Sequence, residues 1–174
     1  MRYQVNDEVV HIQHGLGRVV GLVNNSFANA KPSLYYEISF GKSTAWVLVE
    51  SAPSNELRAL TRKRDLAHYR AILSSKPVAL SRDHRQRRID LVKFSKAGTF
   101  ENLCIIVRDL TAQSQLKPLN DLDSMTLRQA HTNLTREWAA AEEISLVDAI
   151  RHIGALILEG RLALGGSVAA GGVA

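Results

Sequence analysis

The chain has a single cysteine, Cys104, among 174 residues. One thiol excludes an internal disulfide and a cysteine-rich zinc cluster, and it suits a reducing compartment. No uncharged apolar run approaches the roughly 18–20 residues that a membrane span needs. Residues 1–4 lead directly into strand pattern instead of a signal peptide, so a cytoplasmic protein without membrane association is expected. Acids are scarce in one stretch in particular. Between Arg58 and Lys96 there are twelve Lys or Arg residues against three acids, whereas the chain as a whole carries a formal charge of only +5. The basic character is local, and a local basic surface points to a polyanionic partner.

A catalytic set is also absent from the sequence. Ser and Asp residues are scattered over capping and turn positions, and Cys104 sits between Leu103 and Ile105 in an apolar helical stretch, as a buried inert thiol would. His11 and His14 are three residues apart, which in a continuous strand puts them on opposite faces, and no Cys or carboxylate cluster completes a shell. No metal, no cofactor and no enzymatic activity are expected.

What is present falls into two kinds of pattern. Residues 8–12, 17–23, 34–40 and 44–49 are rich in Val, Ile, Tyr and Trp and read as strands. The segment His14-Gly15-Leu16-Gly17 breaks the first run. Without the lysine of a phosphate loop or a following helix, its glycines are expected to serve a sharp bend between strands. After Ser54 the spacing becomes helical: Leu66, Tyr69 and Leu73; Ile89 and Val92; Leu103, Ile106, Val107 and Leu110; Leu127, Leu134 and Trp138. Lys76-Pro77 ends one helix, Ser81-Arg82-Asp83 can cap the next, and Asp123 or Ser124 can start the fourth. The expected fold class is α+β, with a small antiparallel β barrel over residues 1–54 and an all-α helical bundle over 55–158. Residues 159–174, rich in Gly and Ala, read as a disordered tail.

Within the basic stretch, Arg82, His84, Arg85, Arg87, Arg88 and Lys93, with Lys96 beyond them, form the candidate nucleic-acid surface. Arginine forks match phosphate oxygens, and a helix start near Asp83-His84 adds amide donors. Nothing in this set reads base sequence. Trp46 lies in the apolar strand Thr44-Ala45-Trp46-Val47-Leu48-Val49 and is expected to fill the barrel; Trp138 is expected in the helical core.

The opening Tyr3-Gln4-Val5-Asn6-Asp7-Glu8-Val9-Val10-His11-Ile12-Gln13-His14-Gly15-Leu16-Gly17-Arg18-Val19 resembles the start of the CarD/CdnL bacterial transcription regulators. Tyr35-Tyr36-Glu37-Ile38, Ser75-Lys76-Pro77, Arg82-Asp83, Gly98, Val107-Arg108-Asp109-Leu110 and Lys117-Pro118-Leu119 follow in the order and spacing of that family, over about residues 1–145. The resemblance implies a Tudor-like N-terminal barrel that binds the RNA polymerase β subunit through a strand edge, here Trp46, Val47, Leu48 and Val49. It also implies a helical module that lies against promoter DNA and stabilises the open complex, in a protein expected to be a monomer. Asn6 stands where the family has glycine, Ile12 and Glu50 where it has proline, and His84 where it has a tryptophan that wedges into the minor groove. Two rivals make different expectations: an independent nucleic-acid-binding protein needs basic and aromatic residues on the exposed barrel face, and a small-molecule enzyme needs a pocket of convergent polar groups.

Overall fold

The computed structural model describes residues 3–25, 32–50 and 57–165. The chain divides into two compact units, Met1–Leu60 and Thr61–Ala174.

The first unit is an antiparallel sheet of five strands, β1 (Glu8–His11), β2 (Gly15–Asn25), β3 (Ser33–Ser39), β4 (Thr44–Leu48) and β5 (Leu57–Ala59), in the order β4-β3-β2-β1-β5. The strand β5 lies beyond the expected boundary at residue 54 and moves the division to Leu60. Three residues are too few to show a period, so only pairing of Val9 with Ala59 and His11 with Leu57 identifies it. Val47 of β4 and Leu57 of β5 come from opposite edges, yet both belong to one buried cluster with Val9, Val19, Tyr36, Ile38 and Phe40. The sheet therefore curls around a single core, and a break in register between Val19 and Gly21 supplies local bend.

Residues 12–14 make the β1–β2 turn, and the His-Gly-Leu-Gly segment runs from its last residue into the start of β2. Gly15 has φ +76, a left-handed value that glycine takes without strain. A Cβ on Gly17 would lie 2.6 Å from the Phe40 ring, so the ring occupies the space that the missing side chain leaves. Because residues 12–14 turn, His11 and His14 do not lie on opposite faces as a continuous strand would require. Their rings are 4.7 Å apart and His14 lies 5.0 Å from Phe40. His11 Nδ1 accepts from the backbone N–H of Gln13 and of His14 at 3.1 and 3.3 Å, so the buried imidazole ties down the turn. Asn6, at the family's glycine position, has φ +78. Asn tolerates that region better than most residues, which makes the exchange conformationally mild.

The second unit contains α1 (Leu66–Leu73), α2 (His84–Ala97), α3 (Phe100–Leu116), α4 (Asp121–Glu142) and α5 (Leu146–Gly165). Leu66, Leu73, Val107, Leu110, Leu134, Trp138, Ile153 and Cys104 are buried together with Phe100, which stacks edge-on with Tyr69 at 4.8 Å. Burial raises the Cys104 thiol pKa well above its ordinary value, with the nearby Glu137 and Glu101 charges adding to it. The Arg108-Asp109 pair clamps the loop after α1. Arg108 donates to Ile72 O and Ser75 Oγ, and Asp109 accepts from Arg108 and from the N–H of Val78. Asn120, not Asp123 or Ser124, caps α4, accepting from Asp123 N–H at 2.8 Å.

The expected tail is corrected by α5, which continues to Gly165; residues 166–174 lie outside the described residues. Gly160 is a packing residue, since a Cβ there would lie 2.6 Å from Ser75 O and 2.7 Å from Ser74 O. Its lack of side chain lets α5 approach the end of α1, so glycine here marks close contact instead of fraying.

Candidate partner and nucleic-acid surfaces

In the β unit, β4 ends the sheet order and pairs with β3 through Glu37↔Trp46, Tyr36↔Val47 and Tyr35↔Leu48. Tyr36 and Val47 are both buried, which fixes the phase of the strand. By the two-residue period, Trp46 and Leu48 then lie on the outer face. Trp46 is 48% exposed, so the expectation that it fills the barrel is overturned. Val47 takes that role, and Val49 packs against the same core. Of the four expected partner residues, Trp46 and Leu48 form an outer row with Tyr35, Glu37 and Val23, while Val47 and Val49 support it from within.

In the helical unit, α2 carries the basic surface. Asp83 caps it by accepting from Arg85 N–H at 2.8 Å and Gln86 N–H at 3.4 Å, and Gly98 ends it with φ 60. At about 100° per residue, Arg85, Arg88, Ile89, Val92, Lys93 and Lys96 share one face, and all six are exposed. Among the described residues, Arg85, Arg88, Lys93 and Lys96 take part in no ion pair, and neither does the exposed Arg82 just before the cap. His84 opens the helix, but its side chain lies outside the described residues.

Two expectations about this helix are corrected. Ile89 and Val92 are not core residues; they are 52% and 44% exposed, set among the cations. Arg87 is not on the basic face. Two residues from Arg85, it is turned about 200° away, and it is only 5% exposed, with its guanidinium bound to Asp123 at 2.9 Å and to Ser81 O at 2.8 Å. Leu91 is buried beside it, and Asn102 Nδ2 donates to Phe94 O, fastening α2 to α3. The rotation per residue was available to find this division. What concealed it was the arginine itself, which is apolar in no hydrophobicity pattern yet occupies the inner face.

A cavity of ≈ 220 Å³ lies beside the Arg87–Asp123 pair, lined by Gln113, Lys117, Pro118, Leu119 and Asn120. Its acid is already bound to the Asn120 amide, since Asn120 Nδ2 donates to Asp123 at 2.9 Å. Among the described residues no group of three His, Cys, Asp or Glu side chains is placed to hold a metal ion, and no helix is long and apolar enough to cross a membrane.

A second polar group centres on Glu142 of α4. It accepts from Arg70 of α1, from Trp138 Nε1 at 2.6 Å, and lies 3.4 Å from His152 Nδ1 of α5. Burial alone would raise its pKa. The hydrogen bonds from Trp138 and His152 and the charge of Arg70 outweigh that and hold the carboxyl below its ordinary value. Arg70 also lies 5.5 Å from the Trp138 ring centroid, in cation–π range. The group ties three helices together.

Residues 3–59 match the family of the CarD-like/TRCF RID domain, and that match ends where the helical unit begins. No curated protein matches the chain. The matched residues include the Asn6 turn, the His11–Gly17 corner and all five strands, with the Trp46 face on the edge strand. The β unit thus matches a CarD-like/TRCF RID domain, a domain type that interacts with RNA polymerase, and the match covers about a third of the chain.

Proposed function

We propose that this protein is a non-enzymatic transcription regulator that binds the β subunit of RNA polymerase through its β unit, contacts promoter DNA through α2 without reading sequence, and stabilises the open complex. The observation that carries the reading is the family match over residues 3–59, which supports polymerase as the partner of the β unit. In support, β4 is an edge strand with Trp46 on its outer face, and an edge can take up a further strand while an exposed aromatic anchors it.

The DNA role rests on α2. Arg85, Arg88, Lys93 and Lys96 offer phosphate contacts, and Ile89 and Val92 between them offer apolar contact to sugars and groove walls. No chemistry is required. A protein that binds the open complex more tightly than the closed one shifts their equilibrium by that difference. Attachment to polymerase raises the local concentration of α2 at the promoter, so modest phosphate contacts suffice.

The test is the lifetime of promoter open complexes formed by polymerase with the full chain, together with capture of core polymerase by the same chain. The parent should bind polymerase and prolong the complex, whereas an Arg85→Ala, Arg88→Ala variant should bind polymerase equally and prolong it less. Failure of the parent to bind polymerase would overturn the reading. Equal lifetimes for parent and variant would remove α2 from the DNA.

A further inference from the structure

We propose that the outer face of α5 is a self-association surface on which a second copy of this chain docks antiparallel, with the two-fold axis at Gly154. The inner face of α5, with Ala149, Ile153, Ile157 and Gly160, is buried in the bundle. The outer face is apolar as well: Val147, Ile150, Leu158 and Leu162 are each at least half exposed. A soluble surface seldom carries so long an apolar row without a partner. From Val147 to Leu162 it runs about 22 Å at 1.5 Å per residue.

The identity of the occupant follows from the pattern. Ile150, Gly154 and Leu158 form an i±4 ridge, the kind that packs into the groove of a second helix. A Cβ on Gly154 would meet nothing within 4 Å, so the ridge has its low point in the open, at its centre. About that point the row is nearly its own mirror, since Ile150 and Leu158 are four residues to either side and Leu146 and Leu162 eight. A two-fold axis through Gly154 therefore sets Ile150 of one copy against Leu158 of the other, as a self-complementary interface requires.

Charge selects the direction. Arg151 and Glu159 are exposed on the same flank of the row. Antiparallel docking keeps a flank on the same side in both copies and so brings Arg151 of each copy near Glu159 of the other, whereas parallel docking would carry the partner's flank to the opposite side of the seam and leave the two charges unpaired. Asp148, Arg151 and Glu159 flank the row and Arg161 lies within it, seven residues from Gly154; these four charges sum to zero, so the face lacks the basic excess that anionic lipid or nucleic acid would favour. One helix face is a small interface, which implies a weak, concentration-dependent dimer in place of the expected monomer.

Sedimentation equilibrium of the full chain over a range of concentrations tests this. The parent should show a reversible monomer–dimer equilibrium. Leu158→Glu should remain monomeric with unchanged circular dichroism and thermal midpoint, because the side chain it replaces is exposed. Arg151→Glu should weaken the dimer, and Arg151→Glu with Glu159→Arg should restore it, which a merely hydrophobic association would not do. A parent that is monomeric throughout overturns the proposal, as does a dimer that survives Leu158→Glu. Loss of polymerase capture by Leu158→Glu in a monomeric parent would give the face to polymerase instead and equally overturn it.

Discussion

Arg87 and Asp123 form an ion pair of 2.9 Å in which both side chains are about 95% shielded from water. The pair joins the start of α2 to the start of α4, and each member has a further partner, Ser81 O for Arg87 and Asn120 for Asp123. A guanidinium held in this way orients the helix that bears the exposed cations. Paired with Asp123, it adds little to their field.

Arg87→Ala should accordingly destabilise the protein by about 3–5 kcal/mol, because it leaves Asp123 buried without its cation. Arg87→Met, paired with Asp123→Leu, should recover much of that loss. Urea unfolding of the parent and the two variants reads the difference; an Arg87→Ala protein as stable as the parent would mean that the pair opens to water.

On β4, neighbouring residues should separate by phenotype. Trp46→Ala should weaken polymerase binding while changing stability by about 0.5 kcal/mol or less, as exposed sites do. Val47→Ala should cost about 2 kcal/mol of stability through lost burial and the cavity it leaves. Polymerase affinity and urea midpoint, measured on both variants, check the assignment, and the reverse pattern would contradict it.

Two glycines of α5 should respond with opposite sign to the same substitution. Gly154→Ala, facing open space, should stabilise the monomer by about 0.5–1 kcal/mol through helix propensity. Gly160→Ala should instead destabilise by about 1–3 kcal/mol, because the new methyl meets the carbonyls of Ser74 and Ser75. Thermal unfolding at low protein concentration distinguishes them.

The depressed pKa of Glu142 makes stability depend on acidity. A carboxyl whose pKa is lower in the folded than in the unfolded state contributes fully above the ordinary carboxylate pKa, and the contribution is lost as pH falls through the lowered folded value. Glu142→Gln should therefore lose stability at neutral pH and show a flatter decline into the acid range. Denaturation series on both sides of pH 4 measure the slopes; parallel curves for parent and variant would exclude Glu142 as a source of the acid loss.

The division into a β unit followed by an α unit, the bend at Gly15 and Gly17, a helix cap within Ser81-Arg82-Asp83 and the buried Trp138 were all legible in the residues, because each depends on local periodicity, capping chemistry or backbone freedom. The direction of a side chain relative to the rest of the fold was not. Trp46 and Val47 are equally apolar, and only the pairing of Val47 with the buried Tyr36 settles which is inside. Ile89 and Val92 have the spacing of a core face, but Arg87 and Leu91 occupy that face because Asp123 from α4 offers the cation a buried partner. Gly160 belongs to a composition that suggests fraying, and contact with Ser74 and Ser75 makes it a packing site. Sequence thus determined where helices and strands form and where charge accumulates. Tertiary contacts, such as Tyr36 with Val47 and Arg87 with Asp123, which no local period encodes, decided which face of each element meets the core and which is left for a partner.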